Sequence, residues 1–439
     1  MRLRRTLTTV PLVFVMYFNI SGGPFSTEGI VAELGPGLTL LLLVLIPIVW
    51  ALPETLIIGE LASMLPVEGG YYRWVGRAFG PFWAFQNGWW TWLYSLVDMA
   101  IYPVLFNQYL AFFFPDLGDL ARWGVALAII WGATALNLRG ALPVGRVSVW
   151  AGSFVIVTFL LLTIAAVPQM HHAPWNPFST SGDGTMAGLG VGMAVVIWNY
   201  IGWDNASTVQ GEVVDAGRTY PRALAIALPL IALGYLIPVS ATLAATDWSQ
   251  WREGGWPAIA IAAGGPFGRS LSILIALAGM ISALALFNAL LLVYSRIPLV
   301  VAEDRLLPTA LGQTDARGTP RNAIIVSAIC YSVFALLPFS QLVVADVLLY
   351  AMAIALEFAS LVVLRRREPL LRGSFRIPVG QSGVIALAAL PMIVLLMVVG
   401  LELRGGSSSA APVMIALGAA ALGPILYRLA AGRVTPSSR

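Results

Sequence analysis

The chain has 439 residues, of which 59% are hydrophobic and only 10% are charged. Soluble domains carry roughly 25% charged residues, so this composition excludes a soluble protein and predicts an all-α integral membrane protein. All 25 basic residues are arginines that flank apolar segments, which argues against a nucleic-acid partner despite the high pI. The single cysteine, Cys330, excludes an internal disulfide.

The hydropathy pattern divides the chain into twelve apolar segments. Each segment is near or above the roughly 20 residues that a helix needs to span the hydrocarbon of a membrane. We therefore expect twelve transmembrane helices, at about 7–34, 38–64, 82–114, 120–138, 147–167, 185–211, 221–245, 269–303, 321–338, 342–364, 383–403 and 411–429.

The arginines between these segments predict the orientation of the chain. With the N-terminus inside, 21 arginines fall on the cytoplasmic side and 4 on the outer side. This bias follows the positive-inside rule and predicts a multi-pass protein of the cell membrane with both termini in the cytoplasm. Arg2, Arg4 and Arg5 precede the first segment as in a signal peptide, but its length and polar break predict that it is retained.

The first segment is interrupted by Asn19-Ile20-Ser21-Gly22-Gly23-Pro24-Phe25. Glycine and proline disfavour a helix interior, and in a membrane each freed backbone group needs a partner. One interpretation is a proline kink with glycines for helix packing. The other is a binding site, in which the amides of Ser21, Gly22 and Gly23 lie unpaired at a half-helix N-terminus and suit a carboxylate. Gly22 and Gly23 would then approach the substrate through their backbone.

Glu28 follows this break, early in the outer half-helix. The helix dipole favours a charged carboxylate there. Two interpretations stay open, because Glu28 either occupies the carboxylate slot as an intrinsic anion or stabilises the first helical turn. As an acidic residue in a spanning segment, it is a candidate for substrate binding and proton coupling.

In the third segment, Tyr94, Asp98 and Tyr102 recur at every fourth residue and share one helix face. A carboxylate between two phenols suits an amine in a narrow cavity. The alternative is a hydrogen-bonded Tyr–Asp pair that locks helices together.

Four other polar residues lie in apolar segments. Glu54 in the second segment and Glu357 in the tenth are assigned to a structural role or to a proton relay. Asn288 and Tyr294 in the eighth segment are assigned to gating or to polar packing.

A second break, Asn199-Tyr200-Ile201-Gly202-Trp203-Asp204-Asn205, interrupts the sixth segment. Two broken helices at matching places in two halves of a chain indicate a secondary transporter with its site between them. Asp204 is a candidate to bind a substrate amine, to carry the coupling proton, or both, because burial disfavours the charged form of a carboxylate. The alternative is an N-cap of the following half-helix.

Tyr200 and Trp203 flank Asp204. Their aromatic rings are candidates for a wall against a cationic substrate, and the alternative is packing against neighbouring helices. The sequence also predicts no metal site and no cofactor. His171 and His172 have no third ligand nearby, and a chain without lysine has no Walker A motif.

These features resemble the amino acid–polyamine–organocation superfamily, and within it the plant-type polyamine uptake (L-type amino acid transporter-like) permeases. The stretches that carry the resemblance are Ser21-Gly22-Gly23-Pro24-Phe25 with Glu28; Trp50–Glu54 leading to Glu68-Gly69-Gly70-Tyr71; Gly80–Trp83; Asp98–Phe106; Gly202–Thr208 with Gly211-Glu212-Val213; and Leu356-Glu357-Phe358 with Phe375–Gly380.

The resemblance implies the LeuT-type fold, with inverted five-helix repeats at 7–167 and 185–364 and two further helices at 383–429. It also implies proton-coupled uptake of polyamines or amino acids, so the expected partners are an amine or amino acid substrate, a proton and membrane lipid. Two departures are visible. The chain has Leu286-Phe287-Asn288-Ala289-Leu290 where the family pattern is polar and acidic, and it lacks the lysine that some relatives use as a proton switch in the fifth helix.

The sequence leaves two other functions open. One is an amino-acid permease or exchanger, for neutral or cationic amino acids, that has no polyamine selectivity and needs no proton. The other is a channel or sensor on the same scaffold, which a ring of charge or a soluble output domain would favour.

Overall fold

A computed structural model describes residues 5–180, 189, 192–193, 195–335, 342–405 and 417–431. Arg2 and Arg4 lie outside these residues. Glycine and serine at 405–409 predict a flexible turn, and the composition of 435–439 predicts a disordered tail; most of the turn and all of the tail also lie outside the described residues. Parts of the sixth, ninth and twelfth segments also lie outside them. The described part of the chain is helical and contains no β-strand, only an isolated parallel bridge between Leu7 and Val213.

The α-helices are numbered here in chain order. They are α1 Thr9–Ile20, α2 Thr27–Leu34, α3 Pro36–Ile46, α4 Leu52–Met64, α5 Gly70–Phe79, α6 Pro81–Leu110, α7 Asp119–Asn137, α8 Ala141–Ala166, α9 Ala216–Ala245, α10 Trp256–Ala263, α11 Gly268–Tyr294, α12 Arg296–Glu303, α13 Arg321–Phe334, α14 Leu342–Arg367, α15 Gln381–Gly405 and α16 Gly423–Ala431. A π-helical turn, Pro47–Ala51, joins α3 to α4.

Five of the described helical stretches are long and apolar enough to cross a membrane. They are Pro36–Met64, Asp119–Asn137, Ala141–Gln169, Ala216–Ala245 and Gly265–Glu303. Large apolar side chains on their outer faces are exposed, as Trp150 and Ile164 of α8 illustrate. The helix lengths and these surfaces are those of a multi-pass membrane protein.

Both predicted breaks interrupt helices at the expected positions. Helix α1 ends at Ile20 and α2 begins at Thr27, with the intervening chain in turns. Residues 195–198 are helical, residues 199–204 are not, and a 3-10 helix covers Asn205–Glu212. The outgoing half of the sixth segment is thus a tighter 3-10 helix where an α-helix was expected.

The packing of the helices surrounds the two breaks. Helix α1 packs against α8 and α9, while α6 packs against α11 and α14. His171 and His172 lie in the loop after α8, where the ring of His172 contacts the carbonyl of Thr246. The fold therefore holds the broken segments at the centre of a helical bundle.

Candidate functional site

The two broken segments touch each other directly. Gly202 has a φ of +96°, and a β-carbon at this position would lie 2.6 Å from the carbonyl oxygen of Asn19. The hydroxyl of Ser26 lies 3.2 Å from Oδ1 of Asn199. Only glycine permits this approach, so Gly202 has a steric reason to occupy the second break.

A cavity lies between the breaks and contains about 360 Å³ of non-protein space, counting the part that is open to solvent. Its walls come from both broken segments and from α6, α11 and α14. They include Asn19, Ser21, Tyr94, Asp98, Asp346 and Tyr350. The polar residues of five separate stretches therefore converge on one small space.

Asp98 is an acidic group of this cavity whose two oxygens both accept hydrogen bonds. Its Oδ1 accepts a hydrogen bond from the hydroxyl of Tyr102 at 2.8 Å, and Oδ2 accepts one from Tyr294 at 3.0 Å. The predicted Tyr–Asp pair is therefore present, and it lies in the cavity wall. Its carboxylate can accept further hydrogen bonds, since an ionised carboxyl group has about four acceptor positions.

Asn205 extends this network across the second break. It accepts a hydrogen bond from the Tyr94 hydroxyl at 2.6 Å and donates one to the Tyr294 hydroxyl at 3.3 Å. Asn205 is absent from the site residues that the sequence predicts. Its place directly after Asp204 in a broken membrane segment was the signal that pointed to it.

Asp346 is an acidic residue of the cavity that is also absent from the site residues predicted from the sequence. It lies on α14, is fully buried, and neither of its oxygens has a hydrogen-bond partner among the described residues. It stands in an apolar segment, so the rule that selected Asp204 would have selected it too. Tyr350 lies one turn further along α14 and lines the same cavity.

Asp204 is buried beside the cavity, and Tyr350 stands between it and the cavity. The hydroxyl of Tyr350 lies 3.2 Å from Oδ1 of Asp204 and 2.7 Å from Oε1 of Glu54. A hydroxyl has one proton to donate, so the two carboxylates share this single donor. Asp204 occupies the N-cap position of the 3-10 helix that follows, but its side chain makes no capping hydrogen bond to that helix.

Glu28 lies in the first turn of α2, away from the cavity wall. Its Oε1 accepts hydrogen bonds from the hydroxyl of Tyr109 at 3.2 Å and from the amide of Gly254 at 3.0 Å. The side chain is fully buried, and it ties α2 to α6 and to the loop after α9. Its roles in substrate binding and proton coupling stay predictions.

The amides of the first break are not free in this structure. The amides of Ser21 and Gly22 donate to the carbonyl of Tyr17 at 2.9 and 3.2 Å, and the amide of Gly23 donates to Oγ of Ser21 at 3.0 Å. The expectation of three unpaired amides is therefore wrong. The chain folds back on the last turn of α1, and this satisfies the amides locally.

Of these three residues, Ser21 lines the cavity and the two glycines do not. A β-carbon on Gly22 would lie 2.5 Å from Oγ of Ser282, and one on Gly23 would lie 2.8 Å from Cγ1 of Val155. Their φ values are +68° and +113°. Both glycines thus allow close packing on α11 and α8, which corrects the expectation that they face the substrate.

Tyr200 and Trp203 are fully buried outside the cavity wall. The Tyr200 hydroxyl donates to the carbonyl of Leu43 at 3.2 Å, and Nε1 of Trp203 donates to the carbonyl of Tyr200 at 2.8 Å. In this structure both residues pack against neighbouring chain, which is the alternative given above. Trp198, one residue before the break, takes a place in the wall.

A buried ion pair joins the end of the second broken segment to α12. Arg296 donates to Oε1 of Glu212 through Nη2 at 2.5 Å, and both side chains are almost inaccessible. The backbone amides of Thr6 and Leu7 donate to the carbonyl of Glu212 at 2.8 and 3.0 Å. The end of the second broken segment is thereby fastened to the start of the chain and to α12.

The segment around Trp256 contacts the first broken segment. Nε1 of Trp256 donates to the carbonyl of Pro24 at 2.9 Å, next to the contact of Glu28 with Gly254. The ring of Trp256 also packs edge-on against Phe159 of α8. These contacts therefore fasten the outer half of the first broken segment to α8 and α10 in this structure.

Comparison with known proteins agrees with this architecture. A family model described as amino acid permease matches residues 8–421. The chain is 33% identical to the polyamine transporter PUT1 of Oryza sativa subsp. japonica over 425 aligned residues. The alignment covers 96% of this chain and 78% of the relative. It is 34% identical over 394 residues to the polyamine transporter RMV1 of Arabidopsis thaliana, covering 89% and 79%.

A more distant relative is the aromatic amino acid transport protein AroP of Escherichia coli O6:H1. The two chains are 24% identical over 348 residues, which covers 75% of this chain and 72% of the relative. These similarities confirm the resemblance drawn from the sequence motifs, and the relatives are transporters and not enzymes. The chain belongs to the amino acid permease family.

Proposed function

We propose that this protein imports cationic amines, with polyamines preferred over amino acids, through the cavity between its two broken segments. The observation that carries the proposal is the buried carboxylate of Asp98, which two tyrosine hydroxyls hold in the cavity wall. An ammonium group in a site of low dielectric needs such a partner. The substrate named for PUT1 and RMV1 agrees with this choice.

The paired amides of the first break favour a polyamine over an amino acid. A bound amino acid needs donors for its α-carboxylate, and the amides of Ser21, Gly22 and Gly23 are already engaged. A polyamine has no carboxylate and makes no such demand. An amino acid substrate is the second candidate, and the similarity to AroP supports it.

Proton coupling is assigned to Asp204, with Glu28 as the second candidate. Asp204 is buried, and no salt bridge within the described ranges involves it. Burial without a fixed countercharge favours a carboxylate that takes up and releases a proton. Through Tyr350, the group is also in contact with the wall of the cavity.

The proposed architecture is the twelve-helix LeuT-type arrangement, with repeats at 7–167 and 185–364 and two helices at 383–429. Alternating access would open the two sides of the cavity in turn. The Glu212–Arg296 pair would separate when the side near residues 5–8 opens, and the contacts of Trp256 and Glu28 when the other side opens. The arginine distribution supports a cell-membrane protein, surrounded by lipid, with both termini in the cytoplasm.

Uptake of labelled putrescine into proteoliposomes tests the substrate. Putrescine and spermidine should compete in the micromolar range, while alanine and leucine should have no effect. Competition by alanine or leucine, without an effect of the diamines, would replace the polyamine assignment with the amino acid one. Thermal stabilisation of the purified protein by the same compounds gives an independent measure of binding.

A further inference from the structure

Asp346 has an unusual position for an acidic side chain. Its carboxylate is fully buried at the cavity, and both oxygens lack a hydrogen-bond partner among the residues described here. Leaving a buried charged group without partners costs several kcal/mol. A cationic group that enters the cavity would therefore be stabilised by this carboxylate.

The protein itself supplies no positive charge for this purpose within the described ranges. The two buried arginines, Arg296 and Arg365, are each paired with a glutamate elsewhere, at Glu212 and at Glu60. Tyr350, the neighbour of Asp346 one turn further along α14, points its hydroxyl towards Glu54 and Asp204. The countercharge of Asp346 is thus left to a ligand.

Asp98 and Asp346 reach the same cavity from different helices, α6 and α14. The oxygens of Asp98 already accept one tyrosine hydroxyl each, whereas those of Asp346 accept no hydrogen bond from the part of the chain that the structure describes. One ligand that satisfies both groups must carry two separate cationic donors. A single ammonium group balances one carboxylate and leaves the other unpaired.

We propose that Asp346 binds the second ammonium group of a diamine or polyamine whose first ammonium group binds Asp98. This inference rests on the proposed function, since it assumes that the cavity takes cationic amines. The separation of the two carboxylates then selects the spacing between the two amines. Asp346 also disfavours an amino acid, because the α-carboxylate of that ligand would meet a like charge.

The test compares a diamine with a monoamine of the same carbon chain. Binding of putrescine and of n-butylamine is measured on the purified full-length protein by calorimetry, with wild type and Asp346→Asn. Loss of one charge-assisted contact should weaken putrescine binding about 10- to 100-fold. The affinity for n-butylamine should stay within about twofold, because that ligand uses Asp98 alone.

A second variant keeps the charge and changes its reach. Asp346→Glu extends the carboxylate by one methylene group and shortens the gap to Asp98. The preferred diamine should therefore shift from putrescine towards 1,3-diaminopropane, while cadaverine loses affinity. If Asp346 had a purely structural role, the order of affinities among diamines of different chain length would not change.

Ser360→Ala is the control, because it removes a buried polar group from the same helix outside the cavity wall. It should leave the ratio of putrescine to n-butylamine affinity unchanged. If Asp346→Asn weakens both ligands equally, or neither, Asp346 does not bind the second amine. If wild-type protein binds no amine at all, the proposed function itself fails before any variant is compared.

Discussion

Tyr294 donates its hydroxyl hydrogen to Oδ2 of Asp98 at 3.0 Å, and this bond joins the last residue of α11 to the middle of α6. Tyr102 donates to the other oxygen of Asp98 at 2.8 Å from its own helix. The carboxylate is thus held from two helices and has a fixed orientation towards the cavity. Pre-organisation of this kind lowers the entropic cost of binding a ligand.

The first prediction concerns this bond. Tyr294→Phe removes one donor from Asp98 and the acceptor of Asn205, so amine affinity should fall about 3- to 10-fold, as for the loss of a hydrogen bond. Asp98→Asn should have a larger effect, about 10-fold or more, because it removes the charge. Equilibrium binding of putrescine measures both. Tyr331→Phe is the control, since the Tyr331 hydroxyl contacts Ser95 outside the cavity wall; an equal loss in that variant would refute the assignment.

The second prediction concerns the glycines of the first break. Gly23→Val should abolish transport. The reason is that the new side chain would clash with α8, and not that it would fill the cavity, because Gly23 does not line the cavity. Even Gly23→Ala should lower stability by about 1–3 kcal/mol, because its φ of +113° and the approach to Val155 both oppose a side chain. Thermal unfolding of the purified variants measures the loss.

Two controls separate the backbone strain at Gly23 from its steric clash with Val155. Gly29 lies in α2, and a β-carbon there would have its nearest neighbour, a Glu253 atom, at 3.8 Å. Gly29→Ala should therefore be neutral or stabilising. Adding Val155→Ala to Gly23→Ala should recover only the steric part. A fully stable, active Gly23→Val variant would contradict both accounts of this residue.

The third prediction concerns coupling. Asp204→Asn should abolish the accumulation of substrate that an imposed pH gradient drives, while exchange of substrate across the membrane persists. The reason is that an amide cannot carry the proton, although it still fills the space. Uptake into proteoliposomes with and without a pH gradient is the measurement. A full gradient response in Asp204→Asn would move the coupling role to Glu28, to be examined with Glu28→Gln.

The fourth prediction concerns the buried pair of Glu212 and Arg296. Arg296→Gln leaves a buried carboxylate without its partner and should cost about 3–5 kcal/mol of stability. The double variant with Glu212→Gln should recover most of this loss, because neither side chain is then charged. Thermal unfolding tests both variants, and equal loss in the single and double variants would show that the pair acts by packing alone.

The fifth prediction concerns an exposed pair outside the membrane. Arg77 donates two hydrogen bonds to Glu368 at 2.8 Å and holds the pKa of that carboxyl below its usual range. A carboxylate with a lowered pKa adds stability above its unfolded pKa, about 4.3, and this is lost as the pH falls through the folded value. Arg77→Gln should therefore unfold at a slightly lower temperature at pH 7, by a margin that shrinks on acidification and with added salt. A margin independent of pH would exclude this pair as its source.

Much of the fold could be read from local signals in the sequence. The positions of the two breaks follow from Gly22, Gly23, Pro24 and Gly202, because these residues disfavour helix wherever they stand. Asp98 was selected because Tyr94 and Tyr102 share its helix face, and that spacing is fixed by helix geometry alone. Hydropathy likewise identified helical membrane segments before any contact between them was known.

The remaining features depend on contacts between distant parts of the chain. The sequence placed Glu28 beside the first break, but packing turns its carboxylate towards Gly254 and Tyr109. The sequence predicts substrate contacts for Tyr200 and Trp203 as it does for Asp204. Only the structure shows that these two aromatic side chains are buried against neighbouring backbone and lie outside the cavity wall. The spacing of residues along a helix determines which helix face a side chain occupies. It does not determine which other part of the chain packs against that face.

The sequence by itself therefore determined the class of the protein, the places where its helices break, and the presence of acidic groups in apolar segments. These depend on hydropathy and backbone preference, which act over a few neighbouring residues. Only the tertiary structure decided that Asp98 and Asp346 share one cavity while the amides of Ser21, Gly22 and Gly23 are already engaged. Those relationships depend on how α6, α14 and the broken segments pack, and packing is a property of the whole chain.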